Sequence, residues 1–359
     1  MEIEEKAYTK EEFKSYLITH SEKIFEQEER KSWLKIYCLL VSDDSWKEKL
    51  FEPGEIKQLG QIYRVKLKEE ENGSDPVKEN IYYISEYQQG LLLLYTSANQ
   101  ETYEKSLGKK IGRSVGVAKM WISPQLFNLY WAGILNDTRG YVYRFTSKRE
   151  STRDLSCKIR PDYTRRFNYT GDDATQTIEE LVELYGVVPN SIYIQANSGL
   201  KIHMTNEGLY SAQKASADAL NLFYTYLDKI KDPIMEVRRI SKELNFGFVS
   251  RSNLKVPSIS AGVIKLKERE FDEAVVNEIR KSLGRFSFID MHAEHGSFSF
   301  TSTVVDEDKG SVFDISASDD QVIIVPKFQV TFESFIELYK GIVEVIDRQA
   351  EISLMNTTK

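Results

Sequence analysis

An α+β fold, with largely antiparallel sheets covered by helices in two or three domains, is predicted by three features of this 359-residue chain. Strand-like runs follow one another without regular β-α-β alternation. Three hairpin patterns end their turns in glycine, the residue best able to adopt positive φ in a short loop. Several amphipathic segments carry helix-start signals.

In chain order, Thr9 and Glu12 form a T-x-x-E capping box, with Tyr8 and Phe13 as a hydrophobic staple, so a helix begins at Lys10. The run from Trp33 to Val41 is rich in β-branched and aromatic residues and ends at Ser42-Asp43-Asp44, which favours a strand. Alternation in residues 62–67 gives a half-buried strand. The first hairpin joins residues 81–85 to 91–95 through Gln88-Gln89-Gly90. Ser123 before Pro124 opens a helix through Leu135. Thr177 and Glu180 are expected to cap residues 178–185, ending at Gly186. The second hairpin joins 191–195 to 200–204 through Asn197-Ser198-Gly199. A helix is then expected over about 209–230, halting before Asp232-Pro233. A further helix carries Phe271, Val275, Val276, Ile279 and Leu283 and leads to the third hairpin, 286–290 with 297–301. The last helix starts after Thr331, and its wide apolar stripe calls for burial against strands at 312–315 and 322–325. Helix-then-hairpin units thus recur twice.

With 41% hydrophobic and 29% charged residues, the chain has the makeup of a folded protein rather than a disordered one. Its longest apolar runs fall far short of the roughly 20 residues of a membrane-spanning helix. The opening Met1-Glu2-Ile3-Glu4-Glu5-Lys6 lacks the basic and apolar parts of a secretory signal. Two cysteines, Cys38 and Cys157, suit a reducing compartment, so a cytoplasmic location without membrane association is expected. Thiolate zinc sites are excluded, and no cofactor motif is recognisable.

Net charge is −7, unevenly distributed. Residues 1–100 sum to −6, residues 101–170 to +8 and residues 171–359 to −9. Composition therefore divides the chain into an acidic α+β region (1–100), a central basic segment (101–170) and a C-terminal α+β domain (171–359). In the basic segment Lys109, Lys110 and Arg113 are followed by Lys148, Arg149, Arg153, Arg160, Arg165 and Arg166, with aromatics such as Trp131, Tyr143, Phe145 and Tyr169 interleaved. Cations neutralise phosphates and aromatic faces stack on unpaired bases, so these nine cations form the expected nucleic-acid contact set. The alternative is that the aromatics are core and the cations face water or acidic neighbours.

Gly112-Arg113-Ser114-Val115-Gly116 matches G-x-S-x-G, but a nucleophile elbow needs a strand before the serine and a helix after it, whereas helix-like chain precedes and strand-like chain follows. Gly108 to Ser114 departs from the phosphate-loop pattern in spacing and lacks its strand. Asp290, His292, Glu294 and His295 form the densest set of potential metal ligands; on a regular strand Asp290 and His292 share a face. His20 and His203 stand alone.

The leading expectation is therefore a non-enzymatic nucleic-acid-binding protein, or a subunit of a larger machine, acting through its central segment. A scaffold subunit whose acidic terminal regions dock a protein partner is the alternative. A metal-dependent hydrolase or nuclease built on Asp290, His292 and His295 comes third.

Overall fold

A computed structural model describes residues 3–27, 33–68, 79–149, 158–160, 163–213, 216–251, 254–267, 273–294 and 299–356. In order, its elements are α1 (Lys10–Gln27), β1 (Leu34–Val41), α2 (Trp46–Leu50), β2 (Ile56–Leu59), β3 (Ile62–Lys68), β4 (Glu79–Gln88) and β5 (Leu91–Thr96). Next come α3 (Gln100–Tyr103), a π-helical turn (Glu104–Gly108), α4 (Lys109–Arg113), β6 (Val117–Lys119), α5 (Pro124–Thr138), β7 (Tyr141–Arg149) and β8 (Arg165–Thr170). These lead into α6 (Ala174–Tyr185), β9 (Val188–Gln195), β10 (Lys201–Thr205), β11 (Leu209–Ala212), α7 (Ala217–Glu243), β12 (Asn245–Arg251) and β13 (Leu254–Lys265). The chain closes with α8 (Glu273–Ser282), β14 (Phe286–Glu294), β15 (Ser299–Asp306), β16 (Val312–Ser318), β17 (Gln321–Phe328), α9 (Phe332–Val345) and β18 (Glu351–Asn356).

Two antiparallel sheets organise these elements, giving the expected α+β class. The first runs β2-β3-β4-β5-β1-β11-β10-β9-β7-β8 with β6 added against β1; the second runs β12-β13-β17-β16-β15-β14 with β18 against β13. The composition breaks near residues 100 and 170 fall inside the first sheet, because charge is set by solvent-facing side chains and does not bear on backbone pairing. Among the described residues, no helix is long and apolar enough to cross a membrane.

Alternation in β1 explains why the first sheet is covered on both sides near its centre. Ile36, Cys38 and Leu40 face a core shared with α1, α5, α6 and α7, whereas Tyr37, Leu39 and Val41 face a smaller core under α2, α3 and α4. The helix α7 links the sheets: Leu220, Phe223 and Ile230 pack in the first core, and Ile240 in that of the second sheet. The last helix does likewise, with Ile336 on one side and Phe335, Leu338 and Ile342 on the other.

The N-terminal capping box forms as read: Thr9 N–H donates to Glu12 Oε2 at 2.8 Å and Glu12 N–H to Thr9 Oγ1 at 3.2 Å. Two helices, α6 and α7, differ from expectation in their bounds. The helix α6 starts one turn early, at Ala174, and Thr177 donates its hydroxyl back to the Asp173 carbonyl instead of capping. Residues 209–212 are a strand, and α7 runs through Pro233 instead of stopping there. Pro233 is exposed, so the bond it omits, to the Lys229 carbonyl, lies on the wet side while Ile230 and Ile234 hold the buried side.

Candidate functional site

The smaller core covers the β1–β5 half of the sheet face. Toward β7, β9 and β10 that same face changes from apolar to polar, since the residues alternating with buried Ile192, Ile194, Ile202 and Met204 are Ser191, Tyr193, Gln195, Lys201, His203 and Thr205. Strand register lines them into rungs. Arg144 lies opposite Tyr193, Tyr193 opposite His203, His203 opposite Ser211, and Ser211 opposite Lys35. A second rung places Thr146 opposite Ser191 and Ser191 opposite Thr205.

The first rung is a ladder of stacked planar groups. The Tyr193 and His203 rings lie 3.9 Å apart at 6°. The Arg144 guanidinium sits 5.1 Å over the Tyr193 ring, and Lys201 sits 5.4 Å from the ring of Tyr143. Such cation–π contacts hold the long side chains while leaving their charge at the surface. His203 Nε2 is 2.9 Å from Ser191 Oγ. Burial pushes the His203 imidazole down to about 4, and the nearby charges of Arg144 and Lys35 push in the same direction, so it is neutral at pH 7.

Beside this ladder the face deepens into a cavity of about 300 Å³, between the π-helical turn and the C-terminal end of α9. Tyr37, Asn190, Ser191, His203 and Thr205 contribute to its lining, with Glu104, Lys119, Lys148, Glu207 and Glu344 also around it. Its charges are largely paired: Lys119 with Glu104 at 3.2 Å, Lys148 with Glu344 at 2.9 Å, and Lys340 with Glu207 at 3.7 Å. Burial by itself would lower the Lys340 ammonium, but Glu337, Glu344 and Glu207 together raise it. The Tyr37 hydroxyl is buried without a hydrogen-bond partner, and burial, reinforced by Glu104, raises it above the ordinary phenol range.

The nine cations read from the sequence separate. Lys109, Lys110 and Arg113 lie on α4, and Lys110 is bound to Glu55 at 2.8 and 3.0 Å. Strands β1, β11, β10 and β9 stand between that side of the sheet and β7. On β7, Lys148 reaches Glu344, whereas Arg149 is buried and donates to the carbonyls of Tyr185 (2.9 Å), Arg160 (3.0 Å) and Tyr163. Arg149 is thus a structural fork rather than a surface cation, because adjacent residues of a strand point to opposite faces. Arg165 stacks 4.9 Å from the ring of Tyr185 on the helix-covered face. Arg166 is exposed opposite Lys148, Arg160 is exposed with a left-handed backbone (φ 49°), and Arg153 lies outside the described residues.

Among the described residues, Lys148 and Arg166 are the two of these cations that the strand register places on the uncovered face. Arg144, Tyr193, Lys201 and His203 were missed as a group, although the alternation of the second hairpin carried the signal once its turn fixed the pairing. Asp290 and His292 are exposed on β14, but a β-bulge between Ile289 and His292, with Asp290 at φ 51°, interrupts the alternation that would give them one face. His295 lies outside the described residues, and among the described residues no group of three or more His, Cys, Asp or Glu is placed to hold a metal ion. Ser114 caps the end of α4 and donates to the Lys110 carbonyl at 2.7 Å.

The chain matches no protein-family model, no curated protein and no solved structure.

Proposed function

We propose that the uncovered β7–β10 face binds single-stranded nucleic acid. The observation that carries this reading is the Arg144–Tyr193–His203 ladder, flanked by Lys201 and Arg166, on a sheet face that also presents Thr146, Ser191, Gln195 and Thr205. The cations supply phosphate contacts, and Thr146, Ser191 and Thr205 offer donors and acceptors to base edges, which only an unpaired strand exposes in full. A duplex would leave those groups facing a sugar-phosphate wall. The strongly acidic remainder of the chain confines the attraction to this face.

Fluorescence anisotropy with labelled single-stranded DNA and RNA tests it. With about four phosphates engaged, affinity falls roughly 50-fold between about 50 and 200 mM salt. Arg144→Glu combined with Lys201→Glu weakens binding at least about tenfold. Absence of saturable binding at low salt, or binding indifferent to both salt and charge reversal, overturns the reading.

A protein-docking role is favoured separately by one feature, the exposed rings of Phe246 and Phe248, 5.8 Å apart on the edge strand β12. Exposed apolar rings on a sheet edge suit another polypeptide better than a phosphate backbone.

A further inference from the structure

Resting on the single-strand reading of the adjoining face, we infer that the cavity beside the ladder receives one unstacked nucleobase bearing an exocyclic amino group. Its volume of about 300 Å³ lies at the lower end of the range of small-molecule sites. Ser191, Tyr193, His203 and Lys148 border both the cavity and the ladder, so a strand lying on the ladder can turn one base inward without leaving the face.

The lining selects the ligand's charge. Within the lining Lys119 and Lys148 hold Glu104 and Glu344, and the third carboxylate there, Glu207, is 3.7 Å from Lys340 outside it, so the wall has no surplus of cations for a phosphate and a slight excess of carboxylates. A neutral ligand that donates hydrogen bonds fits such a wall best. Tyr37 adds the decisive feature: the residue is 6% exposed and lines the cavity, and its hydroxyl is buried without a hydrogen-bond partner. Buried hydroxyls are rarely left unbonded, because desolvation is then uncompensated. A ring nitrogen or carbonyl of a base can accept from it, while the carboxylate-rich rim accepts from an amino group. Cytosine, adenine and guanine carry that amino group; uracil and thymine do not.

Calorimetry of the full chain with cytidine and uridine, alongside anisotropy with short oligonucleotides, tests the inference. Cytidine is expected to bind roughly tenfold more tightly than uridine. Tyr37→Phe, which removes only the unpartnered hydroxyl and retains the ring stacked on Tyr103, is expected to lose at least about fivefold of cytidine affinity. Thr205→Val, on the same rim, provides a second variant should Tyr37→Phe fail to fold. No binding of either nucleoside at about 10 mM, equal binding of the two, or cytidine affinity unchanged in both variants overturns the inference. Oligonucleotide binding that persists equally in Tyr37→Phe sinks the cavity alone. Cytidine binding that depends on Tyr37 without any oligonucleotide binding sustains the cavity and sinks the reading of the face.

Discussion

Lowering the pH should weaken the fold through His203, and the size of the effect follows from where its imidazole sits. Its ring is half-buried, stacked on Tyr193 and bonded to Ser191, with Arg144 and Lys35 near enough to oppose a positive charge. Burial, the first cause, and these two cations hold it at about 4, against about 6.5 in the unfolded chain. Between those values the unfolded chain binds a proton that the folded chain refuses. Stability from this residue is therefore complete above about pH 6.5 and is lost as pH falls toward 4. The loss amounts to about 2 kcal/mol at pH 5 and about 3 kcal/mol by pH 4. Because other groups titrate in the same range, the comparison must be with His203→Gln, which keeps a hydrogen-bonding group for Ser191 but does not titrate. Urea denaturation should show the wild type losing that much relative to the variant over the interval, and the His203 ring-proton resonance should titrate near 4. A midpoint near 6.5, or parallel pH profiles for the two proteins, would refute the reasoning.

Two other perturbations test the fold around the site. Arg149→Met leaves three main-chain carbonyls without their guanidinium donor and should destabilise the chain by about 3 kcal/mol in denaturant titration, with Arg149→Lys failing to restore it because an ammonium lacks the fork. If Arg149→Met is as stable as wild type and loses only oligonucleotide affinity, Arg149 is a surface contact after all. Gly90 ends the β4–β5 hairpin at φ 88°, where an added Cβ would lie 2.0 Å from the Arg238 guanidinium carbon. Arg238 donates from there to the Val41 and Ser42 carbonyls. Gly90→Ala should therefore cost about 3 kcal/mol through strain and displacement together, read by thermal unfolding; a change within about 0.5 kcal/mol would contradict this.

Local signals were legible where the deciding interactions are local. The Thr9–Glu12 box, Ser123 before Pro124 and the turns ending at Gly90 and Gly199 each settle a conformation within a few residues and place their elements correctly, while the turn read at residues 294–296 extends outside the described residues. Pro233 misled because its cost depends on which side of the helix it occupies, and packing of Ile230 and Ile234 decides that. The basic and aromatic makeup of residues 141–170 pointed toward β7 and β8. It could not show that Lys148 and Arg149 diverge to opposite faces, nor that Arg144 would meet Tyr193, some 50 residues on, since that depends on pairing between β7 and β9. The polar residues of β9 and β10 are joined into a ladder, with the cavity beside it, only by the pairing of these strands with each other and with β7.

Ultraviolet cross-linking of a single-stranded oligonucleotide to the intact chain, followed by peptide mapping, tests the central claim most directly. Adducts should fall within residues 141–148 and 191–205, with Tyr143 and Tyr193 the principal sites, and should disappear as salt is raised. Adducts confined to α4 or the second sheet, or none under conditions where the oligonucleotide binds, would contradict the assignment of the β7–β10 face.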